Sequence, residues 1–521
     1  MGDTPLTQGK NMTQPRFSPD DELDLSTPEG RQAVGRRMPA PDYDRDQIRV
    51  GIVHIGVGGF HRSHQAMYLD HLLSQPDTRD DALGWGICGV DLMPGDRPKG
   101  QALTAQDELY TLVVRKPDGA LEPRVIGSIV RYLFAPDQPA EVLDALANPQ
   151  TKIVSLTITE GGYNFNQATG EFDPDNPAVA ADLAAGSAPG TVFGFVVEAL
   201  RRRRDLGVPP FTVMSCDNIP GNGDIARATF SAFADLRDPD LGGWVRTEVA
   251  FPNSMVDRIT PVTTERDIGQ LREAFGIRDA VPVVCEPFTQ WVLQDVFPAG
   301  RPPWERAGVQ LVHDVVPYEL MKLRLLNASH QAMAYAGYLA GYRYVHEVAA
   351  DPVFIEFLRG YMQQEGEPTL PAVPGTNLDH YIHTLLQRFA NPAIRDTLAR
   401  LAAFSSDRIP KWLVPVIRQN LASGGEVTRS AAVVASWARY AEGTDESGQP
   451  IDVVDGLRDE RMASARRQTE DPLAFVRNEE LFGDIAGQSA FASAYLLALE
   501  SFHERGALRT IEQINQTLRL T

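Results

Sequence analysis

At 521 residues, with 43% hydrophobic and 23% charged side chains, the chain has room for about two to four domains, each with a full core. Its 69 acidic against 49 basic side chains give a formal net charge of −20, which argues against nucleic acid or an anionic membrane as the main partner. Three cysteines (Cys88, Cys216 and Cys285) without a C-x-x-C or a zinc-type Cys/His spacing point to a reducing, cytoplasmic setting and no metal. No apolar run reaches the ~18 residues of a membrane span.

Residues 1–45 are polar, rich in Pro, Asp and Thr and without clear periodicity, which predicts a loosely held extension. Structure is expected to begin with R-V-G-I-V-H-I-G-V-G-G-F-H-R-S-H. Here Val50 to Ile55 reads as a buried strand and Arg62 to Leu73 as a helix, with Ala66, Leu69 and Leu73 on one face. Between them stand Gly56, Gly58 and Gly59, followed by Phe60. A strand, a glycine turn and a helix start can form a pyrophosphate site, because glycine lets the backbone approach the anion and free N–H groups face it. His61 fills the third glycine position of the usual G-x-G-x-x-G pattern, so the same residues also fit an ordinary glycine turn.

The next strand, Trp85 to Val90, runs into Asp91, and Asp96 follows in L-M-P-G-D-R. An acid after the second strand would accept the ribose hydroxyls of NAD and disfavour a 2′-phosphate. Arg97 alongside leaves NADP open, and either Asp also fits a plain polar turn. Strands at Ile153 to Ile158, Phe211 to Ser215 and Val281 to Val284 run into polar turns, with helical patterns at Val192 to Arg204 and Gly223 to Leu236. This alternation predicts a parallel sheet whose ligands bind beyond the carboxyl ends of the strands, where Glu160 and Asn218 stand. Asp257 falls in a loop of the same region.

From about residue 314 the strand signals fade and helical patterns dominate, at Tyr318 to Tyr342, Pro352 to Gln363, Asn377 to Phe389, Thr428 to Tyr440 and Ser489 to Phe502. The predicted fold class is therefore α/β. A Rossmann-type dinucleotide-binding domain over 46–313 precedes a mainly α-helical substrate domain over 314–521, with the active site in the cleft between them.

Pro317 suits the first turn of a helix, and no Pro or Gly interrupts P-Y-E-L-M-K-L-R-L-L-N-A-S-H before Gly337, so one long helix is expected. At about 100° per residue, with Lys322 at zero, Glu319 falls at about 60°, His330 at about 80° and Asn327 at about 140°. Leu323 and Leu326 share that arc, which sets the polar groups in apolar surroundings. A desolvated Lys falls from about 10.4 toward about 7 to 8 and can act as a general base. Asn327 and His330 would then hold a C–O group being oxidised or reduced. The same residues also describe a snorkelling Lys, a capping Glu and a core His. Tyr318 and Lys322 form Y-x-x-x-K as well, but far downstream of the glycine turn and outside the domain in which short-chain dehydrogenases carry that pair.

The stretches H-I-G-V-G-G-F-H-R-S-H-Q-A, S-L-T-I-T-E-G-G-Y, F-T-V-M-S-C-D-N-I-P, F-P-N-S-M-V-D-R-I-T-P, V-V-C-E-P-F-T-Q-W-V-L and P-Y-E-L-M-K-L-R-L-L-N-A-S-H resemble the mannitol dehydrogenase family of metal-independent polyol dehydrogenases. The resemblance runs from about residue 50 into the C-terminal region. It implies hydride transfer at C2 between D-mannitol and D-fructose with NAD, Lys322 being the general acid or base. It makes Asn218 and Asn327 an oxyanion hole, His330 the group that orients the reacting oxygen or its neighbour, and Glu319 the gate for proton exit. By the same resemblance Asp257 and Arg400 bind the hydroxyl chain, Arg408 stands where relatives can carry a Lys, and Gly95-Asp96 stands where relatives have an acidic pair. The implied partner is a small polyol or ketose, and the expected state is a monomer or weak oligomer. Fructuronate and tagaturonate reductases share the Lys-Asn-His helix and would turn Arg400 and Arg408 on a carboxylate. D-Arabinitol dehydrogenase and a catalytically silent NAD sensor are the remaining readings.

Overall fold

The computed structural model describes residues 17, 21–165, 171–184, 186 and 188–519. The chain divides into two compact units, one of residues 1–115 and 121–313, the other of residues 116–120 and 314–521.

In the first unit, Val50–Ile55 (β1) lies at the centre of a five-stranded sheet with Gly86–Asp91 (β2), Ile129–Phe134 (β3), Ile153–Leu156 (β4) and Thr212–Ser215 (β5). All neighbours are parallel and the order is β3-β2-β1-β4-β5, a Rossmann-type arrangement. Most of these strands are near-continuous apolar runs because both faces of a parallel sheet are covered. Val53, Ile55, Val90 and Val154 pack with Phe193 of helix Val192–Asp205 and Phe230 of helix Asn222–Arg237. Ile52, Ile87 and Ile153 pack with Leu69, Leu72 and Leu73 in the opposite layer. Each such side chain contributes about 1.5–3 kcal/mol by leaving water.

Several sequence expectations are corrected here. β3, at the sheet edge, was not among the expected strands. The strand expected at Val281 to Val284 is Val283–Cys285, and it belongs to a different sheet, parallel to Tyr110–Arg115, which pairs antiparallel with Leu121–Ile126. Asp257 closes a strand, Ser254–Asp257, antiparallel to Gln290–Gln294, rather than lying in a loop. The expected helix from Arg62 is two helices, Gly59–Ser63 (α1) and Gln65–Ser74 (α2), parted at His64, whose ring meets the Gln290 carbonyl at 2.9 Å.

The N-terminal segment is also held more firmly than its composition suggests. Leu23–Asp24 pairs with Ile277–Arg278, Leu25 and Val34 are buried against Val113 and Ile277, and the Tyr43 hydroxyl donates to buried Asp70 at 2.7 Å. Residues 1–16 and 18–20 of the expected extension lie outside the described residues.

The second unit is helical. The long helix expected from Tyr318 is Val316–Met321 (α3), a π-helical turn at Lys322–Asn327, and Ala328–Leu339 (α4). It packs against Pro352–Tyr361 (α5), Leu398–Ala402 (α6), Ser405–Trp412 (α7) and Thr428–Ala441 (α8). Tyr335 of α4 stacks on Trp437 of α8, which meets Phe475 edge-on at 4.9 Å. A second π turn, Met362–Gly366, follows α5 directly. Among the described residues no helix is long and apolar enough to cross a membrane.

Candidate active site

The glycine turn opens at Gly56, whose φ of 98° is left-handed and where a Cβ would lie 2.1 Å from the Thr157 carbonyl oxygen, so the position requires glycine. At Gly58 a Cβ would have no neighbour nearer than 3.9 Å, which leaves that side of the backbone open to a ligand. Phe60 is half-buried and its ring stacks on His64 at 4.9 Å. Because α1 spans only five residues, any anion held here would rest on individual N–H groups more than on the dipole of a long helix.

Asp91 is buried and both of its oxygens are engaged. Oδ1 accepts the Val57 N–H at 2.8 Å, while Oδ2 accepts the Tyr132 hydroxyl at 2.8 Å and Lys99 Nζ at 2.9 Å. Asp91 thereby anchors the glycine turn. Lys99 also reaches Asp96 Oδ1 at 3.0 Å, and Asp96 remains partly exposed. Arg97 turns toward Asp137, with one bond at 2.8 Å, and lies over Phe134. Lys99, which sequence reasoning passed over, is thus the cation between the two acids.

His61, in the place of the third glycine, stacks on His54 of β1 with ring centroids 3.3 Å apart. His54 meets Ser155 Oγ at 2.8 Å and the Gly56 carbonyl at 3.0 Å. Burial pushes His54 down to about 3 and holds His61 well below the ordinary histidine range, so both rings are neutral.

Beyond β4 and β5, Glu160 and Asn218 are both exposed. Asp217 connects their turns, accepting the N–H groups of Ile158 at 3.1 Å and Thr159 at 2.8 Å and the Tyr163 hydroxyl at 2.8 Å. Burial raises its carboxyl above the usual range despite those bonds. Thr159 has φ 65°, which strains a β-branched residue by about 1–3 kcal/mol, a feature found at functional sites. Asn222 Nδ2 donates to the Asp217 carbonyl at 3.0 Å and the Ser254 carbonyl at 2.9 Å, tying this turn to the strand that ends in buried Asp257. Arg258 beside it donates to the Ser63 carbonyl of α1 at 2.6 Å.

In the second unit Glu319, Lys322, Asn327 and His330 are all buried, Lys322 at 8% exposure. In a π turn each residue advances less than the about 100° of an α-helix, so Asn327 and His330 lie closer to Lys322 around the axis than the sequence arcs. Asn327 Nδ2 is buried with no hydrogen-bond partner among the described residues, a state that costs about 1–3 kcal/mol. His330 packs against the Phe389 ring at 5.0 Å.

The corner between α6 and α7 is fastened to the same helix. Gln331 Nε2 donates to the Leu401 carbonyl at 3.1 Å, and the Tyr335 and Ser405 hydroxyls meet at 2.6 Å. This corner carries Arg400 and Arg408. Arg400 is bound bidentately to Asp396, its Nε at 2.6 Å, while Arg408 donates to the Leu401 carbonyl at 3.0 Å. Asp396 was not singled out from the sequence, although D-x-x-x-R is a helical ion-pair spacing. Phe404, exposed and left-handed at φ 56°, is a second strained residue that sequence reasoning missed. Among the described residues no group of three His, Cys, Asp or Glu could hold a metal ion, and all three cysteines are buried.

The mannitol dehydrogenase Rossmann domain matches residues 50–306, and the mannitol dehydrogenase C-terminal domain matches residues 314–503. A mannitol 2-dehydrogenase of Phaeosphaeria nodorum is 47% identical over 482 residues, 92% of this chain and 84% of its own. Pseudomonas fluorescens mannitol 2-dehydrogenase, solved as a ternary complex with NAD and D-mannitol, is 44% identical, with a TM-score of 0.82 over 93% of this chain and 99% of that one. A D-sorbitol dehydrogenase in substrate-free form is 38% identical, with a TM-score of 0.85 over 91% of this chain and 97% of that one. Matched in both of its domains and along nearly all of its length, the chain belongs to the mannitol dehydrogenase family.

Proposed function

We propose that the protein is an NAD-dependent mannitol 2-dehydrogenase, interconverting D-mannitol and D-fructose with Lys322 as general acid and base and without a metal ion. The observation that carries this reading is a buried Lys322 sharing one π turn with Asn327, whose amide is buried and unpartnered among the described residues. The open, glycine-lined turn at Gly56, Gly58, Gly59 and Phe60 suits the pyrophosphate of NAD, and Asp96, with Lys99 beside it, is the acid that remains for the ribose. When bound, NAD supplies the hydride acceptor.

In the oxidative direction Lys322 takes the C2 hydroxyl proton as the C–H bond breaks, and in reduction it returns that proton. The amides of Asn327 and Asn218 donate hydrogen bonds to the reacting oxygen as its negative charge grows. His330 orients that oxygen or the neighbouring hydroxyl, and Glu319 passes the proton between Lys322 and water. Asp257 and Arg400 hold the hydroxyl chain together with Arg408, Arg400 being paired with Asp396.

The test is NADH oxidation with D-fructose and, separately, D-fructuronate, each repeated with NADPH, together with NAD reduction by D-mannitol and D-sorbitol. Turnover of D-fructose and D-mannitol with NADH and NAD is the expected result. Turnover of D-fructuronate alone would move the protein to the uronate reductases, and cofactor binding without turnover would make it a sensor. A uronate carboxylate brought to Arg400 would meet the negative charge of Asp396 already paired there, which favours the neutral substrate.

A further inference from the structure

The π turn leaves one backbone carbonyl to be accounted for. Its last wide hydrogen bond runs from the Ala328 N–H to the Leu323 carbonyl, an i→i+5 step. A regular α-helix would give that N–H to Arg324. Where the ladder returns to i→i+4 spacing at Ala328, the Arg324 carbonyl is the one passed over, and a buried carbonyl needs another donor.

That donor is the hydroxyl of Tyr361, the last residue of α5, at 2.9 Å. Tyr361 is fully buried, and burial pushes its phenol well above the ordinary range, so it remains a donor. The second π turn, which begins just after it, lies close by: a Cβ on Gly366 would stand 2.9 Å from Leu325 Cδ2 and 3.3 Å from the Arg324 carbonyl oxygen. This second turn is itself fixed, because the Glu365 carboxylate accepts the N–H groups of Arg429 at 2.7 Å and Ser430 at 2.8 Å at the start of α8. Asn420 Nδ2 donates to the Glu365 carbonyl at 2.9 Å. The Arg324 carbonyl of the stretch that carries Lys322 is thus held from outside by the Tyr361 hydroxyl beside a close glycine contact, while the Arg324 side chain reaches Gln419 Oε1 at 2.9 Å.

We propose that Tyr361 is a positioning residue for the reaction. Its hydroxyl stabilises the wide turn and thereby sets the phase of Asn327 and His330 relative to Lys322. The inference rests on the reading of Lys322 as the general base. Without the hydroxyl, the segment can regain α register, which rotates Lys322 relative to Asn327 and His330 while the corner that carries Arg400 and Arg408 keeps its ties to α4 through Gln331 and Tyr335.

The experiment compares wild type with Tyr361→Phe and Gly366→Ala, the second of which crowds the turn without removing a hydrogen bond. For Tyr361→Phe, kcat for D-mannitol oxidation should fall at least about tenfold, as expected for a misplacement of reacting groups on the ångström scale. KM for D-mannitol and the stoichiometry of NADH binding should change little. The isotope effect on kcat with substrate deuterated at the reacting carbon should rise as the chemical step becomes limiting. Gly366→Ala should change kcat in the same direction and serves if Tyr361→Phe does not fold. A Tyr361→Phe enzyme with wild-type kcat and isotope effect overturns the proposal, as does a loss of kcat matched by an equal loss of NADH-binding sites. Lys322→Ala separates the two readings: full turnover in that variant removes the general base itself, whereas an inactive Lys322→Ala beside a fully active Tyr361→Phe removes only the role of Tyr361.

Discussion

The Asp91 carboxylate accepts the backbone N–H of Val57 at 2.8 Å, so the acid that ends the second strand is bound to the turn that follows the first. Its other oxygen takes Tyr132 and Lys99. An amide in its place has one acceptor oxygen, so Asp91→Asn leaves at least one buried donor unpaired, at about 1–3 kcal/mol. We expect Asp91→Asn to lower the melting temperature and weaken NADH binding roughly 5- to 100-fold, by the same arithmetic. Asp96→Asn, on the exposed side of Lys99, should leave the melting temperature unchanged and shift preference toward NADPH. Thermal melts and NADH fluorescence titrations read both, and a wild-type Asp91→Asn would remove the anchoring role.

The stacked pair His54 and His61 makes the same turn sensitive to acid. Both rings are neutral in the folded protein, His54 titrating at about 3, whereas in the unfolded chain each takes up its proton at about 6.5. Their folded-state values are depressed, so their contribution to stability is complete above about pH 6.5 and is lost as pH falls toward the folded value, by up to about 1.4 kcal/mol per pH unit for each. His61→Phe keeps the ring stack and removes one titration. Its melting temperature should match wild type at pH 7.5 and exceed it at pH 5. Equal losses on acidification in the two proteins would show that His61 does not carry the effect.

For the chemistry itself, Lys322→Ala should lower kcat by roughly 10²- to 10⁴-fold, the usual span of general acid–base catalysis, with NADH binding nearly unchanged. Asn327→Ala should cost about 10²-fold or more in kcat, as for loss of one oxyanion donor. If Asn327→Ala instead raises only KM, its amide binds the substrate equally in ground and transition states. Steady-state rates with D-mannitol and D-fructose at saturating cofactor separate the two.

Much of this was legible in the residues. The apolar run Val50 to Ile55, the glycines after it and the uninterrupted helix from Pro317 are local patterns, and local patterns specify local structure. What was missed depends on distant partners. The N-terminal segment looks loose until Leu23 pairs with Ile277, more than two hundred residues away. Asp91, read as a ribose ligand, also holds Val57, Tyr132 and Lys99, partners that no local pattern places beside it. No composition signal marks the π turn, because its support is the Tyr361 hydroxyl on another helix, and so a uniform 100° wheel spread Lys322 and Asn327 too far apart.

The ion pair between Asp396 and Arg400 yields the last prediction, on substrate choice. Arg400 is 59% exposed, so the pair itself adds little to stability, on the order of 0–1 kcal/mol. Its consequence is chemical: Asp396 occupies the Nε–Nη2 face of the guanidinium and competes by its negative charge with a uronate carboxylate brought to the remaining Nη1–Nη2 face. Asp396→Asn removes that competitor and leaves Arg400 charged. A bond from a charged donor is worth about 1.5–3 kcal/mol, so the ratio of kcat/KM for D-fructuronate to that for D-fructose should rise about tenfold or more, with the D-fructose value itself little changed. Arg400→Gln in the same background should reverse the gain. A ratio that does not move in Asp396→Asn would mean that Arg400 does not reach the end of the substrate chain.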